Sequence, residues 1–443
     1  MRGILLGLTA TIGLAIGATA SELPRRGTLG VALQPVQGGP GVKIVQVMNP
    51  ASGLQPEDIV LGVVGGKPIN APGGLPLPVQ LYGKKGGEKI TLNVLRGGAT
   101  QQIAATLIPA PPPLLDGRPI ELGEAQAPGG PRVRTFLLEP QDKKLARNGR
   151  LPAVMILPGI PCGTQETFAA GNQAYSKYFR MFTAAGVTVV MAEKPGQGDS
   201  EGVICEEGGF DAEEQAFRAA AKKFTADKRI DPKRFFILGL SLGAFQAPLV
   251  AESAPAAGII TWGGGVSPWS SYTLTTFHRR DIISGEDPIQ SRAQFDAWRK
   301  VLAALIYDGK PLEQVQREMP AQYSAVEQWA GGDLAHFAGR AWVFHREIDK
   351  APIVRAWNAY KGKLLSLHGE FDWVSEKHDH ELAATIVNRN RPGDALFEIV
   401  PGNDHGATKH KTIAESFAKP FQGEPDDTYF NRAVAWVVEV AGK

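Results

Sequence analysis

A serine between two glycines gives the strongest chemical signal in this sequence of 443 residues. The pentapeptide Gly239-Leu240-Ser241-Leu242-Gly243 lies between an apolar run at 235–238 and a helical window at 242–253. A nucleophilic serine on a sharp strand-to-helix turn needs small residues two positions away on each side, and both glycines meet that need. The start of a helix also directs backbone N–H groups and the helix dipole at developing negative charge. Ser241 is therefore predicted to be a nucleophile; the alternative is a tight turn whose serine has no chemical role.

A nucleophilic serine needs a general base, and the base needs a carboxylate that orients it. For a serine on this kind of turn, the acid and then the histidine follow it along the chain. His405 comes after the last predicted strand, in a loop positioned to reach the serine, and is the predicted base. Asp372 follows the preceding predicted strand and is the predicted acid, with Glu370 as the less favoured alternative. Asp404 is interpreted as a loop residue that points elsewhere.

Two backbone N–H groups are predicted to bind the negative charge that forms during acyl transfer. One belongs to Leu242, directly after the serine, and the other to the loop that follows the predicted strand 153–157. That loop begins Pro158-Gly159-Ile160-Pro161. Because Pro161 has no N–H, the predicted second donor is the N–H of Ile160.

A glycine-rich stretch at 195–202 is a second motif with a chemical interpretation. Its spacing does not fit the dinucleotide-binding fingerprint, and no acidic residue is placed to bind a ribose. We interpret it as a turn in which Asp199 and Ser200 make local hydrogen bonds. Because no spacing of Cys and His suggests zinc, we predict neither a metal nor a cofactor.

The elements that must position these residues alternate between strands and helices from about residue 119 to residue 443. This alternation predicts a mainly parallel sheet covered by helices. The two predicted strands at 258–263 and 364–368 are separated by about 100 residues rich in helical windows and aromatic side chains. We interpret the segment at about 266–362 as a cap insertion over the catalytic face, with most aromatics in its core. Arg279 and Arg280 are expected on its solvated face, or alternatively against an anionic substrate.

The segment 25–108 has a different pattern, with short apolar runs separated by Gly and Pro turns, which predicts a small mainly-β domain. The proline-rich stretch 109–118 is predicted to be an extended interdomain linker. Residues 1–20 combine Arg2, an apolar run and the small residues Ala18-Thr19-Ala20, which is typical of a cleaved signal peptide. We therefore predict an exported protein, periplasmic or secreted, without a permanent membrane span.

Export bears on the two cysteines, because disulfides form in oxidising compartments. Cys162 and Cys205 both lie in predicted loops at the carboxyl ends of strands, on the same face of the sheet. We predict a disulfide between them, which closes a loop of about 40 residues.

The overall composition excludes several classes of protein. Charged residues make up 21% of the chain, hydrophobic residues 43%, and the formal net charge is +2. These values are typical of a folded soluble protein and argue against a disordered chain or a multi-pass membrane protein. So small a net charge also argues against nucleic-acid binding through bulk positive charge. With 2 cysteines in all, a hydrophobic core must hold the fold together.

From about Arg118 onward, the chain resembles the α/β-hydrolase superfamily, because the serine on its strand-to-helix turn, the acid and the histidine follow in that order. The resemblance implies an α/β-hydrolase fold and a serine hydrolase that works through an acyl-enzyme, with Ser241, His405 and Asp372 as the catalytic triad. A carboxylic ester is the favoured substrate, because ester hydrolysis is the broadest activity in the superfamily.

The segment 25–108 resembles a bacterial PDZ domain. The resemblance is carried by Thr28-Leu29-Gly30-Val31, Asn49-Pro50-Ala51, Pro56-Glu57-Asp58-Ile59-Val60, Gly86-Gly87-Glu88 and Val94-Leu95-Arg96-Gly97. PDZ domains add an extended peptide to a sheet edge and capture its terminal carboxylate with backbone amides. The resemblance implies that Thr28, Leu29, Gly30 and Val31 form that loop and that the partner is a peptide or protein C-terminus; the alternative is a domain that only packs against the catalytic part.

Two further functions follow from this combination. The chain is alternatively a serine peptidase that receives chain ends from the PDZ-like domain. In a third interpretation it is a peptide-binding scaffold with an inactive hydrolase domain.

Overall fold

The computed structural model describes residues 22–36, 39–69, 77–170, 174–330, 332 and 334–443. The predicted signal peptide, 1–20, lies outside the described residues. Among the residues that are described, no helix has both the length and the apolar character needed to cross a membrane.

The N-terminal segment is built around a five-stranded antiparallel sheet. Its strands and its helix are β1 (Gly27–Thr28), β2 (Val31–Pro35), β3 (Val42–Val47), β4 (Ile59–Val63), α1 (Leu77–Gln80), β5 (Lys89–Arg96), β6 (Ala99–Thr106) and β7 (Ile108–Pro109). The strand order in the sheet is β2-β3-β4-β5-β6. Every second residue of β5 faces a small core, because side chains alternate between the two faces of a strand: Ile90, Leu92 and Val94 are buried. Gly97 and Gly98 both have positive φ, which lets the chain turn tightly from β5 into β6.

The proline-rich stretch after this sheet differs from the prediction of a linker without secondary structure. β7 pairs with β1, and two further short strands, β8 (Leu114–Leu115) and β9 (Arg118–Pro119), form a hairpin. Leu115 is only 2% exposed, in the core of the larger domain. Hydrogen bonding and burial thus hold this segment against the rest of the chain.

The remaining chain contains an eight-stranded sheet. Its strands are β10 (Glu121–Gln126), β11 (Arg132–Leu138), β12 (Leu151–Leu157), β13 (Thr188–Ala192), β14 (Ile230–Leu240), β15 (Gly258–Trp262), β16 (Lys363–Gly369) and β17 (Ala395–Val400). Their order in the sheet is β10-β11-β13-β12-β14-β15-β16-β17. β10 and β11 are antiparallel to their neighbours. From β13 to β17 all neighbouring strands are parallel. The predicted α/β class with a mainly parallel sheet is confirmed.

Helices cover both faces of this sheet, which explains why its central strands are almost continuously apolar. In β12, Val154 and Ile156 pack towards one face, while Ala153, Met155 and Leu157 pack towards the other. The helices outside the insertion are α2 (Gln165–Ala170), α3 (Ala174–Ala184), α4 (Phe210–Ala226) and α5 (Leu242–Ala251). Towards the C-terminus, after the insertion, the chain adds further helices and a small β-ladder.

The predicted insertion lies between β15 and β16 and consists of helices. These are α6 (Trp269–Ser284), α7 (Pro288–Leu302), a π-helical turn (Ala303–Tyr307), α8 (Leu312–Glu318), α9 (Pro320–Trp329), α10 (Trp342–Lys350) and α11 (Ile353–Ala359). Much of it has a core of its own, in which Phe277 stacks on Trp298 with ring centroids 4.3 Å apart. Tyr307 departs from the expectation of an aromatic core, since it is 63% exposed. After β16 follow α12 (Lys377–Asn390), β18 (Thr408–Lys409), α13 (Ile413–Ala418), β19 (Glu424–Pro425) and α14 (Thr428–Gly442).

Candidate active site

The predicted nucleophile lies on a strained turn between β14 and α5. Ser241 has φ 52° and ψ −115°, a conformation that residues with a side chain rarely adopt and that clusters at functional sites. The turn is tight enough to require its glycines. A Cβ on Gly239 would lie 2.4 Å from the Gly243 carbonyl oxygen, and one on Gly243 would lie 2.2 Å from the Leu157 carbonyl oxygen. The turn holds the Ser241 side chain at the carboxyl end of the sheet, where it is partly exposed.

The loop after β17 brings His405 to this serine. The distance from His405 Nε2 to Ser241 Oγ is 3.0 Å. The neighbouring Asp404 does point elsewhere, as expected: it accepts hydrogen bonds from the backbone N–H of Thr408 and of Phe421, each at 2.9 Å. His410 Nε2 lies 3.1 Å from Asp404 Oδ2, and both side chains are 1% exposed. Asp404 therefore braces the loop that carries His405.

The loop after β16 places Asp372 on the other side of the imidazole. Asp372 Oδ2 lies 2.9 Å from His405 Nδ1. Its Oδ1 accepts the N–H groups of Val374 and Ser375, at 2.8 and 2.9 Å, and the Ser375 hydroxyl donates to Oδ2 at 2.5 Å. Glu370, the less favoured acid, instead accepts the backbone N–H of Gly402 at 2.8 Å. Four polar hydrogens thus converge on one buried carboxylate.

The pKa shifts of Asp372 and His405 suit a histidine that accepts a proton during the reaction. Burial alone would raise the pKa of Asp372, but the charge and hydrogen bond of His405 and the Ser375 hydroxyl hold it well below its usual value. Burial alone would lower the pKa of His405, but the charge and hydrogen bond of Asp372 outweigh it and raise the pKa of His405 above its usual value. The carboxylate therefore stays ionised and stabilises an imidazolium.

Arg279 has a position that neither interpretation of the sequence anticipated. Its guanidinium donates to the carbonyl oxygens of Trp373 and Ser375, at 3.0 and 2.7 Å, and to Glu376 Oε1 at 2.6 Å. A residue of the insertion thus holds the loop that carries Asp372. The sequence contains no signal for this contact, because Arg279 and its partners are separated by 94 or more positions along the chain.

The two predicted oxyanion donors belong to the two segments next to the serine: the start of α5 and the loop after β12. Leu242 is the first residue of α5, and its N–H is one of the helix N–H groups without an intrahelical partner. A Cβ on Gly159 would lie 3.5 Å from Ser241 Cβ, so the loop after β12 runs beside the nucleophile. The Gly159 N–H donates a hydrogen bond to the Tyr175 hydroxyl oxygen at 3.0 Å. Within the described residues, neither the N–H of Ile160 nor that of Leu242 donates a hydrogen bond.

The two cysteines are joined. Cys162 and Cys205 form a disulfide, with Cα atoms 5.8 Å apart and 43 positions of separation along the chain. The bond ties the loop after β12 to the segment before α4. Cys162 lies two residues after Ile160, so the crosslink restrains the loop that carries one proposed donor.

The predicted carboxylate loop of the N-terminal sheet faces these same catalytic-domain loops. Thr28, Leu29 and Val31 line a cavity of about 480 Å³, together with Leu33 and residues of α1. The opposite wall contains Cys162, Gly163, Thr164, Gln197, Gly198, Ile204 and Glu206. Leu29 itself is buried in the core of the small sheet, and the Gly30 carbonyl accepts the N–H groups of Met48 and Asn49.

Across the described residues, no group of three or more His, Cys, Asp or Glu side chains is arranged to hold a metal ion. No protein-family model matches the sequence, and no curated protein matches it.

Solved structures of α/β hydrolases and esterases resemble about three quarters of the chain. An α/β hydrolase from Penicillium, GrgF, has 13% identity and a TM-score of 0.45, over 73% of this chain and 100% of that chain. An esterase from Pyrococcus furiosus has 12% identity and a TM-score of 0.43, over 73% and 90%. Acetyl xylan esterase 1 from Thermoanaerobacterium has 13% identity and a TM-score of 0.41, over 72% and 87%.

Proposed function

We propose that this chain is an exported serine hydrolase of the α/β-hydrolase superfamily that cleaves a carboxylic ester. The observation that carries the proposal is one continuous line of hydrogen-bonding atoms. It runs from Ser241 Oγ to His405 Nε2 over 3.0 Å, and from His405 Nδ1 to Asp372 Oδ2 over 2.9 Å. The strained backbone of Ser241 supports the same proposal, because a strand-to-helix turn with no chemical role does not need such strain.

The reaction follows from these positions. His405 Nε2 takes the proton of the Ser241 hydroxyl while Oγ forms a bond to the acyl carbon. The N–H groups of Ile160 and Leu242 stabilise the negative charge on the former carbonyl oxygen. The bond to the alcohol oxygen then breaks, and the alcohol leaves with the proton from His405. Water then gives a proton to His405 and attacks the acyl carbon. The bond to Ser241 Oγ breaks as Oγ takes that proton back from His405, which releases the carboxylic acid and restores the serine hydroxyl and the neutral imidazole.

Export is part of the proposal and is supported by the disulfide. Disulfides persist in oxidising compartments and are rare in the cytosol. Expression with the full leader and immunoblotting of cell fractions tests it. Retention of the whole protein in the cytoplasm, with residues 1–20 still attached, would contradict export.

A fluorophosphonate probe tests the nucleophile directly. We expect the probe to label Ser241 of the wild type and to leave Ser241→Ala unlabelled. Turnover of a short acyl ester by Ser241→Ala should be lower than that of the wild type by at least about a thousandfold. Ser271→Ala, which removes an exposed hydroxyl of the insertion, serves as the matched control and is expected to be labelled. Ester hydrolysis retained by a folded Ser241→Ala would refute the assignment. An unlabelled wild type would favour the inactive scaffold.

A serine peptidase is the second candidate, and one observation favours it. The cavity between the 28–31 loop and the loop containing Cys162 would hold a chain end beside the segment that carries Ile160. A PDZ-like domain would there deliver peptides to Ser241. A panel of acyl esters, aminoacyl amides and peptide amides separates the two candidates, because the proposed esterase turns over only the esters efficiently.

A further inference from the structure

Lys194 is a buried cation that the reaction described above does not use. It follows β13, and its side chain is 0% exposed. Its ammonium nitrogen lies 2.7 Å from the carbonyl oxygen of Gly159, 3.1 Å from that of Ile160 and 3.2 Å from that of Pro161. A buried charge must be compensated, and here three successive backbone carbonyls compensate it. These three residues are the start of the loop beside Ser241.

The ionic surroundings of Lys194 extend from the core into the insertion. Glu213 of α4 lies 3.5 Å from the ammonium nitrogen and also accepts a hydrogen bond from Arg340 at 2.8 Å. Arg340, in the insertion, donates a longer bond of 3.3 Å to the Ile160 carbonyl. Two cations therefore share one buried carboxylate, and both reach the same loop.

The orientation of the loop follows from the geometry of a trans peptide, in which the C=O and N–H bonds point in opposite directions. Because the Gly159 carbonyl points at Lys194, the N–H of Ile160 points away from it. The Gly159 N–H is taken by Tyr175, and Pro161 has no N–H. Ile160 is then the one residue of this trio whose N–H is left to meet an oxyanion.

The residue before Lys194 holds the far end of the same loop. Glu193 is 1% exposed and accepts hydrogen bonds from the Thr164 hydroxyl at 2.5 Å and from the Gln165 N–H at 2.6 Å. The two neighbours thus hold opposite ends of the loop, with Cys162 crosslinked between them.

We propose that Lys194 is a positioning residue for the oxyanion hole. By binding the Gly159 carbonyl, it fixes the peptide group whose N–H, that of Ile160, is presented beside Ser241. The inference rests on the proposed function. Without the ammonium, the carbonyls of residues 159–161 lose a shared partner, and the peptide before Ile160 is free to rotate. The rotation removes a donor from the transition state while leaving the triad intact.

Lys194→Met tests the proposal because it keeps the length of the side chain and removes its charge. We expect kcat for the ester to fall about 10²–10³-fold, as when one oxyanion donor is lost, with KM little changed. Affinity for a trifluoromethyl ketone, which forms a tetrahedral oxyanion on the serine, is expected to fall by a similar factor. Lys194→Arg keeps the charge and is expected to recover part of kcat for the ester and part of the affinity for the ketone. Lys300→Met, on the exposed side of α7, is the matched control.

Each outcome of this experiment has a separate meaning. A folded Lys194→Met that keeps wild-type kcat and wild-type affinity for the ketone overturns the positioning role. If the wild type itself neither hydrolyses esters nor reacts with a fluorophosphonate, the proposed function fails instead.

If Lys194→Met does not fold, the pH profile of the wild type decides. Burial lowers the pKa of Lys194 to about 8, against the opposing influence of Glu213, so kcat and ketone affinity should fall together above that pH. Three ionisable groups face the ammonium: Glu213 from α4, Arg340 from the insertion and the adjacent Glu193. Burial raises the pKa of Glu193 to about 8 as well, so Glu193 and Lys194 titrate in the same pH range. Glu193→Gln removes the titration of residue 193, and a fall in activity caused by Lys194 should remain in this variant. A flat profile, or a fall abolished by Glu193→Gln, overturns the proposal.

Discussion

The carboxylate of Asp199 and the guanidinium of Arg134 lie 2.9 Å apart, with side chains that are 0% and 1% exposed. Asp199 also accepts the backbone N–H of Arg26 at 2.7 Å and a hydrogen bond from the side chain of Arg25. The sequence predicted local hydrogen bonds for this turn, but these partners lie 65 to 174 positions away. One buried carboxylate therefore joins the glycine-rich turn, the large sheet and the N-terminal segment.

Removal of this carboxylate should destabilise the protein strongly. Asp199→Ala leaves the Arg134 cation buried without a carboxylate to neutralise it, and we expect a loss of about 3–5 kcal/mol in the free energy of unfolding, measured in urea. Glu57→Gln is the control, because Glu57 is 77% exposed in its pair with Lys43. Exposed pairs contribute about 0–1 kcal/mol, so this variant should resemble the wild type. Equal losses in the two variants would contradict the role of Asp199.

The charge of Asp372 should set the acidic limb of activity. His405 must be neutral to accept a proton, so kcat/KM should rise with pH through the pKa of His405, which Asp372 raises above its usual value of 6.5. Asp372→Asn removes that charge, so the pKa falls and the acidic limb moves to lower pH. At the same time kcat should fall about 10⁴-fold, because the imidazole loses its orientation.

Glu370→Gln is the control for that measurement, because its carboxylate was the alternative acid. The glutamine carbonyl still accepts the Gly402 N–H, so the acidic limb should stay where it is in the wild type. A shift of the limb in Glu370→Gln, with none in Asp372→Asn, would reverse the assignment of the acid.

Reduction of the disulfide should lower stability. The bond spans 43 positions, and loop-closure entropy gives an expected contribution of about 4 kcal/mol. Urea unfolding of the wild type with and without reductant measures this loss, and thiol titration should find two thiols only after reduction. The double variant Cys162→Ser/Cys205→Ser should unfold like the reduced wild type and be insensitive to reductant. Two reactive thiols in the untreated protein would exclude the bond in solution.

Gly263→Ala should impair turnover more than folding. A Cβ at this position would lie 2.4 Å from His405 Cε1, so the imidazole must move away from Ser241. Gly285→Ala is the matched control: both glycines have positive φ, 67° and 76°, but the Cβ at Gly285 meets nothing within 4 Å. Both variants carry backbone strain of about 1–3 kcal/mol in urea unfolding, while kcat should fall only in Gly263→Ala. Equal kcat in the two variants would show that the imidazole tolerates the intrusion.

Local pattern carried much of the information about fold and site. The strand before Ser241, the glycines around it and the helix after it are contiguous, so their spacing alone predicts the turn that the structure contains. The loops that carry Asp372 and His405 were predicted in the same way, because each follows a recognisable apolar strand. The proline-rich stretch was misjudged in one respect, since its pairing with β1 depends on a strand about 80 residues earlier.

By itself, the sequence determined the alternation of strands and helices and the order in which serine, acid and histidine appear. Periodicity and glycine spacing are properties of neighbouring residues, and they remain the same in any tertiary arrangement. Only the tertiary structure decided which distant side chains hold the loops in place: Arg279 on the loop that carries Asp372, and Lys194 against the carbonyl of Ile160. Those contacts join residues from separate elements, and only the packing of those elements brings a buried charge within reach of the carbonyls or carboxylates that compensate it.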